Sequence, residues 1–459
     1  MKKSFCLIII FIISVALYGI KKENNGISQE MLEEIEASFK MNMHVKFAQN
    51  ALAEIDARKI VLNREKTISV DPYFSNKLES QDITNQESTG RCWMFAGLNI
   101  LRPFAAKKLN LKNIEFSENY LFFYDKLEKA NMFLEEIIKT KNKPLDDRHV
   151  EFLIKHPISD GGQWVGMREL IKKYGLVPKD VMPETYSSSH SRTMNRVLGL
   201  KLREYALKLR KIKNIKKARR VKVQALKDVY KILVINFGNP TRSFLWRYKD
   251  KDKKITSLKR YTPKEFYKEV VNVKLDDYLA LYSIPTRDYG KLYEIDLDKS
   301  VYDRPNLKFV NCKIETLKEI AKKSILDKQP VWFGCDVGKE SFSKKGLMIP
   351  AIYDYESLYN MKFKLTRKEL FETFSNNPTH AMVLTGVDIV NNKVKKWLVE
   401  NSWGKKACKN GYYHMMDEWF GYYVQEIVVH KKYIPENIIK IFKTKATLLP
   451  PWDPMFRSK

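Results

Sequence analysis

Cys92 stands in the run Gln86-Glu87-Ser88-Thr89-Gly90-Arg91-Cys92-Trp93-Met94-Phe95-Ala96, and far downstream come Thr379-His380-Ala381 and Asn401-Ser402-Trp403-Gly404. These residue types, in this order, are suited to acyl transfer through a thiolate. A free thiol is mostly protonated near neutral pH, whereas one at a helix N-terminus beside an imidazole is activated. His380 is the expected base and ion-pair partner. Asn401 is the neutral amide that would orient its ring without quenching its charge. Gln86 is expected to donate, together with the backbone N–H of Cys92, to the oxyanion that forms when the thiolate attacks a carbonyl. Trp403 would cover the bond between His380 and Asn401. Each residue alone has an ordinary structural explanation, and the argument rests on their combination.

The surrounding sequence supplies elements to hold them. The apolar stretch from Trp93 to Phe104 predicts a buried helix, with Cys92 in its first turn and Pro103 marking an end or a kink. Ala381 to Val387 and Lys396 to Glu400 predict two strands, joined through a turn at Asn391-Asn392. Antiparallel pairing of these strands would bring His380 and Asn401 to the same end. Cys312 and Cys335 lie in strand-like surroundings as buried thiols, and Cys408 on a surface loop. No Cys or His spacing suggests a metal site, and the chemistry calls for no cofactor.

These motifs resemble the bleomycin hydrolase and bacterial aminopeptidase C family of papain-clan cysteine peptidases. Four further stretches point to that branch: Asp160-Gly161-Gly162-Gln163-Trp164, Trp332 to Lys339, Phe244 to Lys251 with Thr262 to Tyr267, and Trp452-Asp453-Pro454-Met455. Cys92 and His380 are separated by about twice the usual papain distance, which an inserted domain explains. The resemblance implies an α+β, papain-like two-lobed fold, one lobe helical and one β-rich, with a mostly helical insertion. It implies substrate contacts at Asp160, Gly161, Gly162 and Trp403, peptide substrates, and a homohexameric ring. It further implies a C-terminal arm (Trp452, Asp453, Pro454, Met455, ending at Lys459) that lies in the cleft and restricts cleavage to the N-terminal residue. The last residues, Phe456-Arg457-Ser458-Lys459, are bulkier and more basic than the family pattern. An endopeptidase with an ungated cleft is therefore the alternative.

With 459 residues, 44% of them hydrophobic and 12% aromatic, the chain can bury a large core. The expected organisation is 1–20 a signal peptide or N-terminal anchor, 27–80 a helical arm and linker, and 81–190 the helical lobe with the nucleophile. The inserted helical domain follows at 191–290, the β-rich lobe with His380 and Asn401 at 291–440, and the C-terminal arm at 441–459. Tyr186 to Ser191 reads as a polar linker. Lys2-Lys3 before an uncharged run to Ile20 predicts export to a periplasm or cell surface; a cytoplasmic location, the default of the resembled family, is the alternative. The formal net charge is +29, with many basic residues between Lys201 and Lys227. That stretch fits a solvated helix face, or a weak contact with nucleic acid or an anionic surface.

Overall fold

The computed structural model describes residues 25–453. The expected signal segment 1–20 and the arm residues Pro454, Met455 and Lys459 lie outside the described residues. Two compact units divide at Val61–Leu62. In the first, helices Gln29–Ser38 and Met43–Leu52 are capped by Ser28 and Asn42, whose side chains accept from the Met31 and Val45 amides. Neither helix buries a residue.

The second unit, from Leu62, holds the chemistry. Its helical part is built on Cys92–Lys108 and Glu118–Lys139, with Trp164–Tyr174 beside them. The Cys92–Lys108 helix runs through Pro103 instead of ending there. Ile100, Leu101, Ala105 and Ala106 are buried on both sides of the proline, so packing holds the helix together across the missing backbone bond.

Among the described residues, the β part is dominated by one twelve-stranded sheet, beside a separate two-stranded one of Phe244–Trp246 and Lys259–Tyr261. The central order of the large sheet is Tyr278–Tyr282, Val424–His430, Val331–Cys335, His380–Val390, Lys393–Glu400, Tyr412–Met416. His380–Val390 and Lys393–Glu400 pair antiparallel, closing at Val390 opposite Lys393. Asn391 and Asn392 form the two-residue turn with φ of 50° and 62°, the left-handed pair that a tight hairpin requires and that Asn tolerates. One face of the sheet packs on the helices. Trp93, Trp332, Ala381, Val383 and Val428 share one apolar core, whereas Phe333, Cys335, Met382, Leu384 and Trp397 point to a second on the other side.

Within 191–290, helices Arg192–Arg210 and Ile215–Phe237 pack into the same core as the Cys92–Lys108 helix. The strand Tyr278–Tyr282 at its end joins the main sheet beside Val424–His430. The basic stretch lies on these two helices. Lys201 and Lys208 pair with Glu204, and Arg219 and Lys222 with Glu135. Tyr186 to Ser191, expected as a linker, is instead a short helix, Tyr186–Ser189, with a Thr185/Ser188 capping box. Ser188 and Ser191 are buried, and their hydroxyls donate to the carboxylates of Glu184 and Asp160.

Candidate active site

The helix Cys92–Lys108 starts at the expected nucleophile, with Arg91 as a cap residue that makes no side-chain capping bond. Arg91 is instead fully buried, 3.0 Å from Glu184 and stacked over Phe95 and Phe122. Burial pushes the Cys92 thiol up, and backbone N–H groups of Ala381, Trp93 and Cys92 pull it back, as expected at the positive end of a helix.

His380 begins its strand opposite Cys335, and Asn401 follows the end of the neighbouring strand. The His380 ring donates from Nε2 to Asn401 Oδ1 at 2.8 Å. In the neutral ring this leaves Nδ1 as the acceptor. Burial drives the His380 imidazole down to about 4, opposed by the Asn401 bond. Asn401 Oδ1 also accepts from the Ser402 amide at 2.8 Å. Trp403 lies over the imidazole, with ring centroids 4.7 Å apart. His380 and Asn401 are both buried.

Gln86 is buried against the same loop. Its backbone amide donates to the Ser402 carbonyl at 2.8 Å, and its Oε1 accepts from Ser402 Oγ at 2.7 Å. Nε2 donates to the Thr89 carbonyl at 2.7 Å, leaving its second hydrogen for another acceptor. Gln86, Cys92, Asp160, His380 and Trp403 all line one cavity of about 550 Å³. Arg192 and Asn195, from the start of the Arg192–Arg210 helix, are also on its wall.

Of the expected substrate-pocket residues, Asp160 lines the cavity but its carboxylate is committed to the protein. It accepts from the Gly90 amide at 3.1 Å, Lys126 Nζ at 2.5 Å, Asn195 Nδ2 at 2.7 Å, and the Ser191 hydroxyl. Burial would raise it, but Lys126 and these donors outweigh that and hold it well below the usual carboxylate range. Asp160 thus fixes the turn that delivers Cys92. Its carbonyl also accepts from Trp93 Nε1 at 2.8 Å. Gly161 is exposed, with open space over its α-carbon, and its carbonyl is held by Lys129 Nζ at 2.6 Å. Gly162 backs onto Trp93: an added β-carbon would come within 2.7 Å of the indole ring. Lys126, Lys129, Ser191 and Asn195 were not singled out from the sequence. Lys126 and Lys129 sit about one helical turn apart, with Asp125, just before Lys126, also buried, and such a cluster of charge on an amphipathic helix was the available signal.

Trp452 packs near His149, Phe152 and Arg148, and is not among the residues lining the Cys92 cavity. Asp453 is buried and ion-paired with Arg287. Cys335 and Cys312 are buried, as expected. Cys408, expected on a surface loop, is half-buried, and its sulfur lies against Asn401.

Residues 26–456 match the family model described as the Peptidase C1-like family. Aminopeptidase C of Listeria innocua is 39% identical over 432 residues, covering 94% of this chain and 98% of that protein. Human bleomycin hydrolase is 37% identical over 450 residues, again covering 94% and 98%. The crystal structure of PepW from Lactobacillus rhamnosis superposes with a TM-score of 0.91 at 38% identity, covering 94% of this chain and 99% of that one.

Proposed function

The chain belongs to the Peptidase C1-like family and is a cysteine peptidase, and on that premise we propose that it removes N-terminal amino acids from peptides by a Cys92–His380–Asn401 thiolate mechanism. The observation that carries this reading is the convergence of Cys92 and His380 on one cavity, with His380 Nε2 bonded to Asn401 Oδ1 at 2.8 Å. The Cys92 thiolate attacks the scissile carbonyl and forms an acyl-enzyme. His380 protonates the leaving amine and then takes a proton from the water that releases the acid. The oxyanion is held by the Cys92 amide and by the remaining Gln86 Nε2 hydrogen, a donor worth roughly 2.7–4 kcal/mol in the transition state.

The names of the relatives, aminopeptidase C and bleomycin hydrolase, support the aminopeptidase mode. In this reading the C-terminal arm closes the cleft to longer chains, the enzyme assembles as a homohexameric ring, and residues 1–20 direct its export. Sedimentation of the purified enzyme and N-terminal sequencing of the mature protein test the last two statements.

Cleavage of a free-amino aminoacyl fluorophore is to be compared with that of an N-blocked peptide. The enzymes are full-length protein, a form ending at Met455, and Cys92→Ala. The expected result is cleavage of the free-amino substrate alone, relaxed or lost on truncation and absent in Cys92→Ala. Equal cleavage of the blocked peptide by the intact enzyme would make it an endopeptidase, and activity in Cys92→Ala would sink the mechanism.

A further inference from the structure

Asn401 has two side-chain atoms to place, and their order decides whether it can serve His380. Rotation of the amide by half a turn exchanges Oδ1 with Nδ2 and would set a donor against the donor on His380 Nε2. Oδ1 is held from one side by the Ser402 amide. Nδ2 donates to Cys408 Sγ at 3.6 Å, and Asn401 as a residue is only 1% exposed. Cys408 is itself held: the Tyr413 hydroxyl hydrogen-bonds it, and that hydroxyl meets Ser343 Oγ at 2.5 Å. Tyr413 is fully buried in the strand Tyr412–Met416.

We propose that Cys408 is a positioning residue: its sulfur accepts the Asn401 Nδ2 hydrogen and locks the amide with Oδ1 facing His380. The proposal rests on the Cys92–His380–Asn401 reading. A chain of contacts then runs from Ser343 through Tyr413 and Cys408 to Asn401. Sulfur is a weak acceptor, so its contribution is to select one of two amide orientations, not to bind tightly.

The backbone provides a discriminating variant. Cys408 has φ of 55°, a left-handed conformation that glycine adopts more readily than any residue with a β-carbon. Cys408→Gly therefore removes the sulfur without straining the loop. The measurements are kcat, KM and thermal midpoint for Cys408→Gly, Cys408→Ser, Asn401→Ala and the Cys408→Gly/Asn401→Ala double variant, on a free-amino aminoacyl fluorophore. Cys408→Gly is expected to keep its melting temperature and KM while kcat falls about threefold to tenfold, the range of one modest hydrogen bond. Cys408→Ser, which restores an acceptor, is expected to recover most of the rate. In the Asn401→Ala background the glycine substitution is expected to have no further effect. A wild-type kcat in Cys408→Gly overturns the proposal, as does an equal loss in the presence and absence of Asn401. A wild-type kcat in Asn401→Ala would instead remove the Cys92–His380–Asn401 reading itself, and the proposal with it.

Discussion

At the residue scale, the site is a contest between burial and pairing. Burial acts against charge on both partners, raising the Cys92 thiol and lowering the His380 imidazole. Reactivity near neutral pH then depends on each charge supporting the other, with the helix N-terminus favouring the thiolate. This dependence can be measured by the rate of Cys92 alkylation against pH. With His380→Ala the imidazolium is gone, the buried thiol keeps its raised value, and alkylation at pH 6 is expected to fall at least about tenfold. The rate should then climb only at alkaline pH. An unchanged profile would mean that His380 does not form the ion pair. The types and order of Cys92, His380 and Asn401 were legible in the sequence because each carries a chemistry its neighbours complete. The Cys408 contact was not, because a lone Cys on a loop has no local signature of what lies opposite.

At the scale of elements, Cys92 is placed by segments remote in sequence. The turn at Gly90 is bonded to Asp160, Asp160 to Lys126 on the next long helix, and to Ser191 and Asn195 at the start of the inserted helices. Lys126 is fully buried, so its charge relies on Asp160. Asp160→Asn keeps the shape but leaves that ammonium unpaired, and loss of about 3–5 kcal/mol of stability is expected from denaturant unfolding. A loss under 1 kcal/mol would show that the ion pair is not what holds the segment. The sequence marked Asp160-Gly161-Gly162 as pocket residues but could not assign them separate tasks. The close approach of Gly162 to Trp93 and the commitment of the Asp160 carboxylate arise only when the two helices pack.

At the scale of the whole molecule, the interface between helices and sheet carries a buried acid. Glu426, on Val424–His430, packs against Gly334, where an added β-carbon would strike its carboxyl. Burial pushes Glu426 up to about 8, with a hydrogen bond from Tyr282 opposing. The folded state therefore keeps a proton that the unfolded chain releases above its ordinary carboxylate value. Stability from this group is present at low pH and is lost as pH rises from about 4.5 through 8. Glu426→Gln, neutral throughout, is expected to gain stability over wild type across that window, by about 1 kcal/mol or more at pH 8. Melting curves at pH 5 and 8 check it: an equal difference at both values would rule out this linkage.

The sequence by itself determined the chemistry, the family and the elements that present the reacting groups. A nucleophile at the head of an apolar helix, two β-prone runs joined by Asn391-Asn392, and His380 and Asn401 at matching ends are local patterns, and local patterns follow from backbone propensity and side-chain period. Tertiary structure alone decided which polar groups serve the site from a distance: Lys126 and Lys129 under the pocket segment, Ser191 in what reads as a linker, Cys408 behind Asn401, Glu426 beneath the sheet. Most are defined by a partner tens to hundreds of residues away, and Cys408 by one seven residues off across a loop; burial turns such a pairing from optional to obligatory. A single sequence records the residue but not the partner.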